Sequence, residues 1–141
     1  FENQSSLGGP YFERELLGRG LAIGDLNNDG WPDLVISHSN SRVAVLLNER
    51  PAADHHWLGI ELVGRDGRDV AGATVEVEVN GQRIVRLAKG GGSYLSSGDR
   101  RLLFGLGNHQ AIDRVTVRWP WGKSQVWEGL QPDQYHRLLE E

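Results

Sequence analysis

Apolar and polar residues alternate with a period of two over much of the second half of the chain. Leu58, Ile60 and Leu62 alternate with Gly59 and Glu61. Val75, Val77 and Val79 alternate with Thr74, Glu76 and Glu78. Val115, Val117 and Trp119 alternate with Arg114, Thr116 and Arg118. This period predicts strands with one face buried and one face in water. Asn80-Gly81 separates two such runs, and because both turn positions need positive φ it predicts a tight hairpin into residues 82–87. Pro120-Trp121-Gly122 predicts a second turn, with the chain returning over residues 124–128. Residues 135–139 close the pattern as a final strand or a short helix. At least five strands after residue 56 predict a β-sandwich. Residues 88–101 carry Gly90-Gly91-Gly92 and Ser96-Ser97-Gly98 without a period, the mark of a long functional or mobile loop.

The first third reads differently. Residues 1–20 give a polar lead followed, at 11–17, by an edge strand or a short helical turn. Short apolar runs at 21–24, 34–37 and 42–47 predict strand, loop, strand, turn, strand. That is the size of one antiparallel propeller blade. No second copy follows, and a lone blade buries its faces poorly. Residues 48–56 are polar, include Pro51-Ala52-Ala53, and read as a linker. The predicted fold is therefore all-β: a blade-like unit over 1–47, a linker over 48–56, and a β-sandwich over 57–141.

Composition narrows the picture only a little. The chain has 141 residues, 38% of them hydrophobic, with a net charge of −4. It carries no long basic run, which argues against nucleic acid as a partner. No apolar stretch approaches the roughly 20 residues of a membrane-spanning helix. Cysteine is absent, which excludes disulfides and thiolate chemistry. Neither an initiator Met nor a signal peptide is present, so the chain reads as cut from a longer precursor and missing targeting signals say nothing about destination; with a lone blade leading into a sandwich, it is expected to be the C-terminal part of that protein. Asn3-Gln4-Ser5 fits a short glycosylation sequon.

The loop between the first two blade strands is the one segment with a clear chemical purpose. It runs Asp25-Leu26-Asn27-Asn28-Asp29-Gly30-Trp31-Pro32-Asp33. Oxygen-bearing side chains recur at every second residue, and glycine stands sixth, where the chain must bend. Ca²⁺ takes 6–8 oxygens at about 2.3–2.6 Å. Asp25, Asn27, Asp29, the backbone carbonyl of Trp31 and Asp33 supply about five of them, with water completing the shell. Mg²⁺ suits the loop less well, because it keeps more of its waters. An EF-hand is excluded. Its twelfth position would be Ile36, and a strand pattern follows instead of a helix.

Other motifs lead to weaker readings. Gly122-Lys123-Ser124 is a hairpin turn, since the glycine of a phosphate loop is replaced by Val117. His55 and His56 are adjacent and point to opposite sides of an extended chain. Alternation places Trp119 on the core side and leaves Trp121 at the turn, where an exposed indole could stack on a sugar or contact a protein. Trp121 is thus the candidate ligand-binding residue. No nucleophile–base pair is recognisable, and no catalytic residue is assigned. A glycosidase would need two acids facing each other across a groove, and loop acids such as Asp66, Asp69 and Asp99 could be paired only by folding.

Two family resemblances rest on these residues. Residues 20–35, centred on the Asp25-to-Asp33 loop, resemble the FG-GAP/VCBS repeat. That resemblance implies Ca²⁺ held between two strands of a propeller blade by Asp25, Asn27, Asp29, the Trp31 carbonyl and Asp33. A closed propeller has several blades, whereas this chain holds one. Residues 54–139 resemble the ASPIC/UnbV domain. The resemblance is carried by His56-Trp57-Leu58, Gly72-Ala73, Gly91-Gly92-Ser93-Tyr94-Leu95-Ser96-Ser97, Phe104-Gly105-Leu106-Gly107 and Val115-Thr116-Val117-Arg118-Trp119-Pro120. It departs at Trp121, where a small or acidic residue is usual. Together they imply a non-enzymatic module of an extracellular, cell-surface or periplasmic protein, with calcium as cofactor and a protein or glycan as partner.

Overall fold

The computed structural model describes residues 2–49 and 55–141. Most of the predicted linker, residues 50–54, lies outside the described residues. The lead contains a 3₁₀ turn at Ser5–Leu7 and further turns over residues 9–14, the helical-turn alternative for that segment. Ten strands follow. The first three are β1 (Gly18–Gly24), β2 (Asp33–His38) and β3 (Ser41–Leu46), paired antiparallel in that order. The acidic loop connects β1 to β2.

The second part packs two sheets together. One contains β4 (His56–Val63), β7 (Leu102–Gly107) and β10 (Tyr135–Leu139) in the order β10-β4-β7. The other contains β5 (Thr74–Val79), β6 (Gln82–Leu87), β8 (Arg114–Arg118) and β9 (Ser124–Trp127) in the order β6-β5-β8-β9. The alternation read from the sequence holds strictly in β5 and through Val117 in β8: Val75, Val77, Val79, Val115 and Val117 are buried, and the residues between them are not. Leu58, Ile60, Phe104, Leu106 and Leu138 close the core from the facing sheet. The β5–β6 turn has Asn80 at φ 47° and Gly81 at φ 72°, as a two-residue hairpin requires. Trp119 is buried, and its indole N–H donates to Gln125 Oε1 at 2.5 Å. The last strand pairs parallel to β4, with Tyr135 opposite Gly59.

The two parts differ in what they bury. The apolar core lies wholly in the sandwich and its connections. In residues 2–49 the buried positions are Gly20, Asp25 and Asp33. Leu21, Ile23, Val43, Val45 and Leu47 are exposed. The blade thus encloses two carboxylates where a self-sufficient domain would enclose hydrocarbon.

Candidate functional site

The acidic loop folds around Asp25. Its Oδ1 accepts the Asp29 N–H at 3.1 Å and its Oδ2 accepts the Gly30 N–H at 2.9 Å. Asp29 repeats the device two residues on, with Oδ1 accepting the Trp31 N–H at 2.8 Å and Oδ2 accepting from the Asn27 amide at 2.7 Å. Asp33 ties the loop to its flanks. Its Oδ2 accepts the Leu26 N–H at 2.8 Å, and its Oδ1 accepts the Asn48 N–H, just past β3, at 2.9 Å. Asn28 at φ 58° and Gly30 at φ 85° let the chain double back.

Asp25 is 2% exposed and Asp33 1% exposed. Burying a carboxylate costs several kcal/mol unless it is hydrogen-bonded and its charge is met. Hydrogen bonds are present, but among the described residues neither carboxylate forms an ion pair. Among the described residues, no three His, Cys, Asp or Glu side chains are grouped so as to hold a metal ion. The five expected ligand residues lie on one loop, but their acidic side chains are not gathered about a common centre: the carboxylate oxygens are directed at backbone and side-chain amides of the loop and at the Asn48 N–H. A carboxylate oxygen has two lone pairs, so the oxygens that accept a single bond keep one free, whereas Asp25 Oδ2, which also accepts from the Tyr135 hydroxyl, does not.

The sandwich supplies the other wall of the site. The Tyr135 hydroxyl donates to Asp25 Oδ2 at 2.8 Å. Arg101, just before β7, donates to the Asp25 carbonyl at 2.6 Å and to Asn28 Oδ1 at 2.6 Å. The same guanidinium forks onto Asp99 Oδ2, at 2.8 Å from Nε and 2.6 Å from Nη2, and lies 4.0 Å over the Tyr135 ring. Trp57 packs on the bend: a Cβ added to Gly30 would stand 2.3 Å from Trp57 Cγ. Trp57 in turn meets Tyr135 edge to face, with centroids 5.1 Å apart. Gly59 leaves the space that the Tyr135 ring fills. Asp133 holds the start of β4, accepting the Trp57 N–H at 3.2 Å and contacting His56 Nδ1 at 2.6 Å.

Titration follows this geometry. Burial raises the Tyr135 pKa, and the Asp25 carboxylate it faces raises it further, so its hydroxyl stays a donor. Burial alone would raise Asp99, but the bonds from the Arg101 guanidinium and backbone amide outweigh it and hold the carboxyl below its ordinary range. The Asp99 carboxylate in turn raises the Arg101 pKa.

The irregular segment over 88–101 also meets the blade. Ser96 Oγ donates to the Leu21 carbonyl at 2.7 Å, and the Asp99 N–H donates to the Ile23 carbonyl at 2.8 Å. Both acceptors lie on the edge of β1 not paired to β2. Gly98 approaches so closely that a Cβ would stand 2.8 Å from the Ile23 carbonyl oxygen. Trp121 lies elsewhere, 65% exposed at the tip of the β8–β9 turn. Asp69 is held by Arg100, and Asp66 is exposed on a short 3₁₀ turn.

Reading the sequence singled out the loop and Trp121; it named Asp99 only as a loop acid that folding could pair and Trp57 only within a family motif, and it gave no role to Arg101 or Tyr135. A glycine inside β4 marks a close approach, and Gly59 was the one local sign of the Tyr135 contact. Arg101 carried no sign at all.

Comparison with known proteins finds two family matches. Residues 17–46 match the FG-GAP repeat and residues 64–141 match the family described as ASPIC and UnbV. Cartilage acidic protein 1 of Mus musculus is 30% identical over 136 residues, covering 94% of this chain and 21% of that protein. Its Homo sapiens counterpart is 32% identical over 119 residues, covering 82% of this chain and 18% of that protein. The chain thus spans about a fifth of the length of the curated relatives it matches. Among the described residues no helix is long and apolar enough to cross a membrane.

Proposed function

The chain belongs to the ASPIC and UnbV family and carries an FG-GAP repeat, and from that premise we propose that it is a calcium-stabilised adhesion or recognition module of an extracellular protein. One observation carries the calcium reading: Asp25 and Asp33 are almost fully buried, yet among the described residues neither is ion-paired. Buried charges are met by a partner or by a metal. Here the donor chemistry suits a hard cation. Asp25, Asn27, Asp29, the Trp31 carbonyl and Asp33 would hold Ca²⁺, which supplies charge neutralisation and a fixed turn between β1 and β2. Arg101 lies close enough for the Asp25 charge to act on it, but its hydrogen bonds go to Asp99, Asn28 and the Asp25 carbonyl and not to the carboxylate. The role is one of binding, and the families matched are not known as enzymes.

Isothermal titration of Ca²⁺ into chelator-treated protein tests this directly. The expected result is a saturable heat together with a raised Tm. Neither heat nor stabilisation would remove calcium from the account.

A second reading, carbohydrate binding, rests on the exposed Trp121 indole at a hairpin tip. An indole face can stack on a sugar ring. A glycan array should then show binding that Trp121→Ala abolishes. Binding that survives the substitution would favour another surface.

A further inference from the structure

We propose that the cleft between the edge strand β6 and the irregular segment over 88–101 binds an oxyanion group, the sulfate, phosphate or carboxylate of a small ligand. The proposal is independent of the acidic loop and of calcium. It starts from Arg86. In the β5–β6 pairing Arg86 stands opposite the buried Val75, so its side chain leaves the face of the sheet that carries the core. Its guanidinium lies over the buried Phe104 ring, 5.6 Å from the centroid. The ring contact holds the cation at the wall of the cleft. Among the described residues Arg86 forms no ion pair.

The rest of the cleft adds to that charge. Its volume is about 470 Å³, and its charged lining is Arg86, Lys89, Arg100 and one acid, Asp99. That size lies within the range of about 300–1,000 Å³ usual for small-ligand sites. Asp99 is already met by Arg101, whose guanidinium forks onto Oδ2 and whose backbone N–H bonds to Oδ1. Arg100 gives a hydrogen bond to Asp69 from one nitrogen and keeps its other N–H donors. Lys89 has no ion pair among the described residues. The cleft thus carries positive charge that the protein does not neutralise.

The glycine run supplies neutral donors beside these cations. Gly91 and Gly92 line the same cleft, and among the described residues their amide N–H groups meet no protein acceptor. Beyond its chain neighbours, no atom stands within 4 Å of where a Cβ on either glycine would be, so a ligand can reach the backbone there. Guanidiniums, an ammonium and open amides together suit a sulfate, phosphate or carboxylate group. The guanidinium fork matches two oxygens of such a group at once.

The test is an NMR titration of amide shifts on the full 141-residue chain in metal-free buffer. The probes are sodium sulfate and a heparin-derived disaccharide, with sodium chloride at equal ionic strength as reference. The Gly91 and Gly92 amides should shift saturably with a probe and not with chloride. Tighter binding of the disaccharide than of sulfate would assign the site to an acidic sugar, and equal binding would assign it to the oxyanion alone. Arg86→Gln and Lys89→Gln should each weaken binding about tenfold. Lys123→Gln, the same charge change at the exposed β8–β9 turn, should leave it unchanged. If Arg86→Gln is poorly folded, Lys89→Gln decides alone. The proposal is overturned by the absence of a saturable shift, by unchanged affinity in Lys89→Gln, or by an equal loss in Lys123→Gln.

Discussion

At the residue scale, Gly30 shows how two demands meet at one position. Its φ of 85° suits a residue without Cβ, and the Trp57 ring occupies the space where Cβ would be. Gly30→Ala should therefore cost about 2–4 kcal/mol, combining a left-handed backbone with an overpacked contact. Urea unfolding followed by tryptophan fluorescence measures it. The glycine was legible as the bend of an acidic loop, but Trp57 was not. Contacts between residues 27 positions apart leave no local pattern. Asp99 allows a second test. Its pKa is lowered, so its ionised form favours the folded state. That contribution is present above the unfolded carboxylate value and is lost as pH falls through the folded one. Melts of the wild type and Asp99→Asn should differ at neutral pH, begin to approach each other as pH falls below about 4, and coincide only below the lowered value of the folded carboxyl.

At the element scale, the strands of the sandwich were legible because burial on one face writes a period of two. Val75, Val77 and Val79 announce β5, and Asn80-Gly81 announces its turn. β10 was ambiguous between strand and helix because residues 135–139 alternate too briefly, and its parallel pairing with β4 is a tertiary fact. The segment over 88–101 had no period because its order comes from docking on the edge of β1 rather than from a buried face of its own. The acidic loop belongs to this scale as well. It closes on itself through Asp25, and Asp33 at the start of β2 ties it to Leu26 and reaches past β3 to the Asn48 N–H. Asp29→Ala should lower Tm more in Ca²⁺ than in chelator. Equal losses in both would mean that Asp29 serves only the Trp31 and Asn27 hydrogen bonds.

At the scale of the whole molecule, the two parts are stabilised by different physics. The sandwich has a continuous apolar core, and Phe104→Ala should cost it about 3–5 kcal/mol. The blade has two buried carboxylates, no buried hydrocarbon among its described residues, and a row of contacts to its neighbour. Residues 55–141 alone should unfold cooperatively, whereas residues 2–49 alone should not, as circular dichroism against temperature would report. The blade's dependence on its neighbour follows from the position of its acidic loop. Asp25 sits at the joint, so the residue that organises the acidic turn also receives the sandwich's tyrosine.

Calcium binding by residues 25–33 is what we propose. Electron density from crystals grown with Ca²⁺ tests it most directly. The account predicts a peak inside the loop, with oxygens of Asp25, Asn27, Asp29, Trp31 and Asp33 at about 2.3–2.6 Å. No peak at saturating Ca²⁺, or one at water hydrogen-bonding distances, would contradict it.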